Sequence, residues 1–271
     1  MPKSLPLYKL TFMRSIVVPV DYLDNSSNAA RYAADMALAI KADLHLIHVL
    51  EPPIAAAEVP VPEYVFEEMQ QDGVSLLRSM SGDLAIRTDN QVRITSDIDV
   101  GGIEHQLEEF CRRINPFMVA TGNAAIARKL PPPALYVPEK AVFHPIKKIV
   151  LACELDDIGA GIPASLPFLK ELADLLDAKY EVINVSTRAE DREGNALFKF
   201  DSWEDRLKEL FPQTHFKRSN NIGESVNEYL CSSGADWLIV FPKRHKLLDF
   251  HVSQSKKIAK ACTIPVMSVH P

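Results

Sequence analysis

The sequence predicts an α/β protein made of two tandem copies of one unit, each an open, mostly parallel sheet of five strands with flanking helices. Three observations carry this. Short β-branched runs alternate with segments of helical apolar spacing, the grammar of a doubly wound sheet. The run Ile16-Val17-Val18 recurs 133 residues later as Ile149-Val150-Leu151. Residues 42–49 (ADLHLIHV) match residues 178–185 (AKYEVINV) at a shift of 136, so a three-residue loop insertion separates the copies at that point.

The length fits this division, because 271 residues exceed what one compact core usually holds and suffice for two. We expect a tail over 1–14, a first domain over 15–142 and a second over 143–271. In the first copy, residues 15–20 (SIVVPV) read as a strand buried on both faces. Asp24, Asn25, Ser26, Ser27 and Asn28 form a stretch rich in N-cap residues, and Ala29, Ala33, Met36, Ala37 and Ile40 then recur at helical spacing. Residues 44–50 are the second strand. Four prolines between 51 and 62 precede a helix marked by Val65, Phe66, Met69, Leu76, Leu77 and Met80, with Gly73 as its weak point. A third strand is expected near 92–95 and a helix at Ile103, Leu107, Phe110 and Ile114. A fourth strand over 116–122 and a short fifth over 134–137 complete the unit.

The second copy restarts at 148–153. Leu166, Phe168, Leu169, Leu172 and Leu176 mark a helix, and Trp203, Leu207, Leu210 and Phe211 mark the next. Val226, Tyr229 and Leu230 space a third helix, and residues 235–241 (ADWLIVF) a strand. A last helix over 256–262 leads to a last strand over 264–269.

Bulk properties exclude several functions. A net charge of −6 argues against a nucleic-acid or anionic-lipid surface. Cys111, Cys153, Cys231 and Cys262 form no CxxC pair, which points away from zinc or a disulfide framework and fits a reducing cytoplasm. Lys3, Lys9 and Arg14 interrupt any secretory apolar stretch, and no run approaches the roughly 18 apolar residues of a spanning helix. The expectation is a cytoplasmic protein with neither membrane nor nucleic-acid partners.

The residues Ile16-Val-Val-Pro-Val-Asp21, Leu46-Ile-His-Val49, Phe117-Met-Val-Ala-Thr-Gly122 and Ile264-Pro-Val266 resemble the universal stress protein (UspA-like) family in a tandem arrangement, over nearly the whole chain. That resemblance implies Rossmann-like (adenine nucleotide alpha hydrolase-like) domains and a stress-response role. In its ATP-binding members, adenine and ribose lie near a Pro-x-Asp after the first strand. The triphosphate rests on a G-x-x-G turn, followed by a spacer of about nine residues and G-Ser/Thr. Glycines there let backbone amides approach phosphate. The resemblance therefore marks Pro19, Asp21, Val49 and Gly122 as candidate contacts for ATP or AMP.

Both copies depart from that pattern. In the first, Ala125 stands where the second glycine belongs, and residues 126–132 leave no room for the spacer, the G-Ser/Thr or most of the last helix. In the second, Ala152 and Glu154 replace the proline and aspartate, and the turn reads Pro242-Lys243-Arg244-His245. Proline offers no amide hydrogen. Val252 takes the place of a glycine and Ser253 that of the Ser/Thr, while Lys243, Arg244, His245 and Lys246 offer side-chain cations instead.

Each candidate has a plainer alternative. Asp21 is a ribose or adenine contact or a cap for the next helix, and the 243–246 run is an anion site or a solvated loop. His45 and His48, three apart in a strand, face opposite sides and share no metal, and His245 and His251 lack companion ligands. Ser253 and Ser255 lack a nucleophile elbow. Asp156 and Asp157 are Mg²⁺ ligands or helix caps. The expectation is thus a regulatory binding protein and not an enzyme, with no certain cofactor. Its lobes would self-associate through last strands 135–137 and 266–269, with a homodimer and an unidentified protein partner as further associations. The rival readings are a nucleotide sensor or slow ATPase with a remodelled site, and a protein-interaction scaffold.

Overall fold

The computed structural model describes residues 14–51, 63–152, 162–186, 213–219, 221–241 and 263–270. The first half runs β1 (Ser15–Pro19), α1 (Asp24–Ile40), β2 (Asp43–Leu50), α2 (Glu63–Arg87), β3 (Ile94–Val100), α3 (Ile103–Ile114), β4 (Met118–Thr121), α4 (Ala124–Lys129) and β5 (Ala134–Tyr136). The second runs β6 (Lys148–Ala152), α5 (Ile162–Leu176), β7 (Lys179–Ser186), β8 (Gln213–Arg218), α6 (Ile222–Ser233), β9 (Trp237–Val240) and β10 (Val266–Ser268). The helices expected around Trp203 to Phe211 and over 256–262, and Cys153 at the end of the first strand of copy two, lie outside the described residues.

The ten strands among the described residues form one sheet, ordered β3-β2-β1-β4-β5-β10-β9-β6-β7-β8. Each half therefore repeats the same order, with β6 to β10 taking the places of β1 to β5. Neighbours are parallel everywhere except at the seam, where β5 and β10 pair antiparallel with Val266 opposite Tyr136, Met267 opposite Leu135 and Ser268 opposite Ala134. An antiparallel seam between equivalent strands relates the halves by an approximate twofold axis normal to the sheet, so equivalent helices fall on the same face.

On one face a single core crosses the seam. Ile16, Val18, Ala33, Met36 and Leu46 of the first half join Ile149, Leu151, Leu169, Leu172, Trp237 and Met267 of the second. Fully buried Trp237 donates its indole N–H to the Tyr32 hydroxyl at 2.7 Å. The Tyr32 ring meets Phe143 edge-on at 5.3 Å, and Phe117 packs on Phe168 at 5.1 Å. Asn28 ties the connector to α1 by donating to the carbonyls of Pro138 and Ala141. Arg14 meets Glu171 at 2.6 Å across the halves. The other face carries two separate clusters, one of Val17, Ile47, Leu107, Phe110 and Ile126 beneath α3 and α4, the other of Val150, Ile183, Val226 and Leu238 beneath α6.

Three details differ from the sequence reading. β3 occupies Ile94–Val100 and not 92–95, because this edge strand pairs only with β2 and so accommodates Asp97 and Asp99 that break an apolar run. Helix α1 starts at Asp24 with Leu23 as its N-cap, and Leu23 makes no side-chain cap bond, so the residues read as caps form the first turn itself. Helix α2 runs unbroken through Gly73. A Cβ there would lie 3.1 Å from Ile98 and 3.3 Å from His48, so the glycine lets the helix settle onto β2 and β3. Among the described residues, no helix is long and apolar enough to cross a membrane.

The shared core predicts one cooperative unfolding transition. Tyr32→Phe strands the buried indole N–H and costs about 1–3 kcal/mol, lowering the urea midpoint while probes in both halves still move together. Two separable transitions in the wild-type protein would contradict a common core.

Candidate functional site

In this strand order the direction of winding reverses between β1 and β4, and ligands of open α/β sheets bind at the carboxyl ends of such strands. The turn leaving β1 is closely held. The Val20 amide donates to the Ile47 carbonyl at 2.9 Å, and the Val20 carbonyl accepts from His48 Nδ1 at 2.7 Å, which places that ring's proton on Nδ1. Tyr22 sits in the left-handed region at φ 64°, costly by about 1–3 kcal/mol for a non-glycine residue. Two contacts hold it there: its hydroxyl donates to the Gly73 carbonyl at 2.9 Å, and its ring lies 4.6 Å from that of His48. Burial pushes the Tyr22 phenol up to about 12.

Asp21, held by that turn, faces back onto α1. Its Oδ1 accepts from the Leu23 amide at 3.0 Å and from the Ser26 hydroxyl at 2.5 Å, while the Asp21 amide donates to Ser26 Oγ at 3.2 Å. This carboxylate closes the turn over Leu23 and ties it to the Ser26 side chain in the first turn of α1.

The turn after β4 is closed in a similar way. Thr121 Oγ1 accepts from the Asn123 amide at 3.1 Å, and Asn123 Oδ1 accepts from the amides of Ala125 at 2.9 Å and Ile126 at 3.4 Å. The amides of a phosphate-binding turn are thus engaged by the chain's own hydroxyl and carboxamide. A Cβ on Gly122 would lie 2.4 Å from the Asn25 carbonyl oxygen. This glycine is required by the backbone of α1, which rests against the turn.

Together these turns wall a cleft of about 650 Å³. Pro19, Asp21, Asn25 and Gly122 lie at one end, and Arg128, Tyr136, Val240, Val266 and Ser268 extend it across the seam. Pro19, Asp21 and Gly122 are therefore brought together. Val49 is not: it packs beside Ile103 and Leu107 beneath α3. Ala152 is half-buried at the end of β6. Glu154, Asp156, Asp157, Pro242, Lys243, Arg244, His245, Lys246, His251, Val252, Ser253 and Ser255 lie outside the described residues. Asn123 and the seam residues escaped the sequence reading. Asn123 was legible as an N-cap before Ala-Ala-Ile-Ala, whereas the seam residues carry no local signal.

Among the described residues, no group of three or more His, Cys, Asp or Glu is arranged to hold a metal ion. His45 contacts the Thr95 hydroxyl and burial lowers its pKa, while His48 serves Val20 from the opposite face. Burial pushes the Cys111 thiol up to about 12, a protonated and unreactive state near neutrality.

Two measurements check these assignments. Asn123→Ala frees two amides at the start of α4 and should cost about 1 kcal/mol in denaturant unfolding; an unchanged midpoint would contradict the cap. At pH 8, iodoacetamide followed by peptide mapping should label exposed Cys231 while sparing Cys111 in the folded protein. The Cys111 contribution to stability is complete below the unfolded thiol value of 9.0 and is lost as pH rises through about 12.

A sequence model described as the Universal stress protein family matches residues 13–126. Sequence comparison with curated proteins finds no match. Among solved structures, a universal stress protein from Archaeoglobus fulgidus DSM 4304 superposes with a TM-score of 0.72 at 10% identity, covering 96% of this chain and 97% of that one. A putative universal stress protein from Pseudomonas aeruginosa UCBPP-PA14 gives 0.60 at 13% identity over 96% and 94% of the two chains. The cytoplasmic domain of a prokaryotic cation chloride cotransporter gives 0.50 at 14% identity over 94% and 95%. At such identities the likeness establishes the fold, an open α/β architecture matched over 96% of this chain. Residues 13–126 thus match the universal stress protein family, and the chain has the fold of the solved members it superposes on.

Proposed function

We propose that this chain is a universal stress protein acting as a cytoplasmic regulatory binding protein without catalytic turnover, in which the first lobe offers no phosphate cradle. The observation that carries this is Asn123, whose carboxamide accepts from the amides of Ala125 and Ile126. A phosphate would have to break those bonds and regain them, so its net gain would be small. The short α4 adds support. Its six residues lead directly to β5, leaving no helix for the family's G-Ser/Thr to open. The position of Asp21 fits the same reading, since its Oδ1 already serves Leu23 and Ser26.

A second reading, a nucleotide sensor or slow ATPase, draws on the cleft itself, which lies beside Asp21 at the strand ends. Titration calorimetry with ATP and Mg²⁺ separates the two. The regulatory reading expects no binding tighter than about millimolar and no phosphate release. Sub-micromolar binding with hydrolysis would overturn it, and loss of that binding in Asp21→Ala would assign the site to the first lobe.

A further inference from the structure

The seam end of the cleft holds features that the β1 and β4 turns do not use. Tyr136 and Val266 are directly opposed across the antiparallel pair, and Ser268 and Val240 are neighbours in the parallel pair beside it. Side chains paired in register point to the same face. Tyr136, Val266, Ser268 and Val240 therefore form a continuous lining drawn from both halves, with Tyr136 half-buried and the other three buried at the base of the cleft. The wall above is α4. Ala124 packs against the cluster containing Leu238, Val240 and Val266. Arg128, four residues on, shares that side of the helix.

Arg128 lines the cleft half-buried, and it makes no hydrogen bond or ion pair among the described residues. Its neighbour Lys129, by contrast, is tied to Glu104. A guanidinium partly withdrawn from water and without a counter-charge among the described residues favours a planar anion that can accept two of its hydrogens. Charge is distributed unevenly along the cleft, with the Asp21 carboxylate at the far end and Arg128 at the seam. An anionic head is thus repelled from one end and attracted to the other. The apolar lining beside Arg128 suits an uncharged hydrocarbon body, and the volume of about 650 Å³ lies within the range of small-ligand sites.

We propose that the seam end of this cleft binds a small amphipathic anion, its apolar body on Tyr136, Val240 and Val266 and its carboxylate or phosphate head on Arg128, with the Ser268 hydroxyl as a further partner. The site requires both halves, because Arg128 and Tyr136 come from one and Val240, Val266 and Ser268 from the other. It goes beyond the regulatory reading and does not depend on whether ATP binds at the β1 turn.

Calorimetric titration of the full chain with octanoate, octyl phosphate and octanol tests the proposal. Saturable binding of octanoate or octyl phosphate, with octanol at least about tenfold weaker, is the expected result, and the anion preferred identifies the head group. Arg128→Gln should weaken the anion about tenfold, Arg128→Lys should lie between, and Arg31→Gln, the same charge change on the opposite face, should leave affinity unchanged. Equal binding of octanol and the anions, unaltered affinity in Arg128→Gln, or no binding of either anion would overturn it. The wild-type comparison of octanol with octanoate needs no variant to fold. ATP binding, read separately, bears only on the regulatory proposal.

Discussion

The antiparallel pairing of β5 with β10 is the constraint on which the rest of the molecule depends. A sheet ordered 3-2-1-4-5 leaves its fifth strand as an unpaired edge, a liability in any open sheet. Here the edge of each half is closed by the edge of the other. Each of these strands has only three residues, too few to hold two lobes through backbone bonds alone. The pairing is secured by what it brings together, the Trp237 to Tyr32 hydrogen bond and the apolar face running unbroken from Ile16 to Leu151. The lobes repeat one topology, yet they share one core.

That closure also shapes the cleft. Shortening α4 to six residues leaves part of the β5 and β10 face for the cleft to reach, and it positions Arg128 over residues contributed by the other half. At the opposite end, the approach of α1 to Gly122 brings Asn25 and Asp21 to the strand ends. A glycine that elsewhere would let phosphate approach here lets a helix approach. The same local feature thus serves packing, because the neighbouring amides are satisfied from within the chain.

Much of this was legible in the sequence. The repeat of Ile16-Val17-Val18 at Ile149-Val150-Leu151, the strand and helix periods and the loss of the second glycine at Ala125 all lie within short windows. Asp21 was legible as the polar residue that ends β1, and it holds the Leu23 amide just before α1. Other features were hidden because their causes are distant in the chain. Gly73 reads locally as a helix defect, and only the approach of His48 and Ile98 shows its purpose. Asp97 and Asp99 mask a strand that forms because β2 needs a partner. Val49 is a strand-end residue by position, but its packing under α3 keeps it from the cleft.

The sequence by itself determined the α/β class, the duplication and the absence of a complete G-x-x-G signature, because these follow from periodicity and residue type over windows of a few turns. Only the tertiary structure decided that the two copies share a core and that the cleft crosses their seam. It also decided that Gly122 is occupied by a helix backbone. Those outcomes depend on which surfaces meet across more than a hundred residues of chain, where packing and hydrogen-bond satisfaction, not local propensity, select the arrangement.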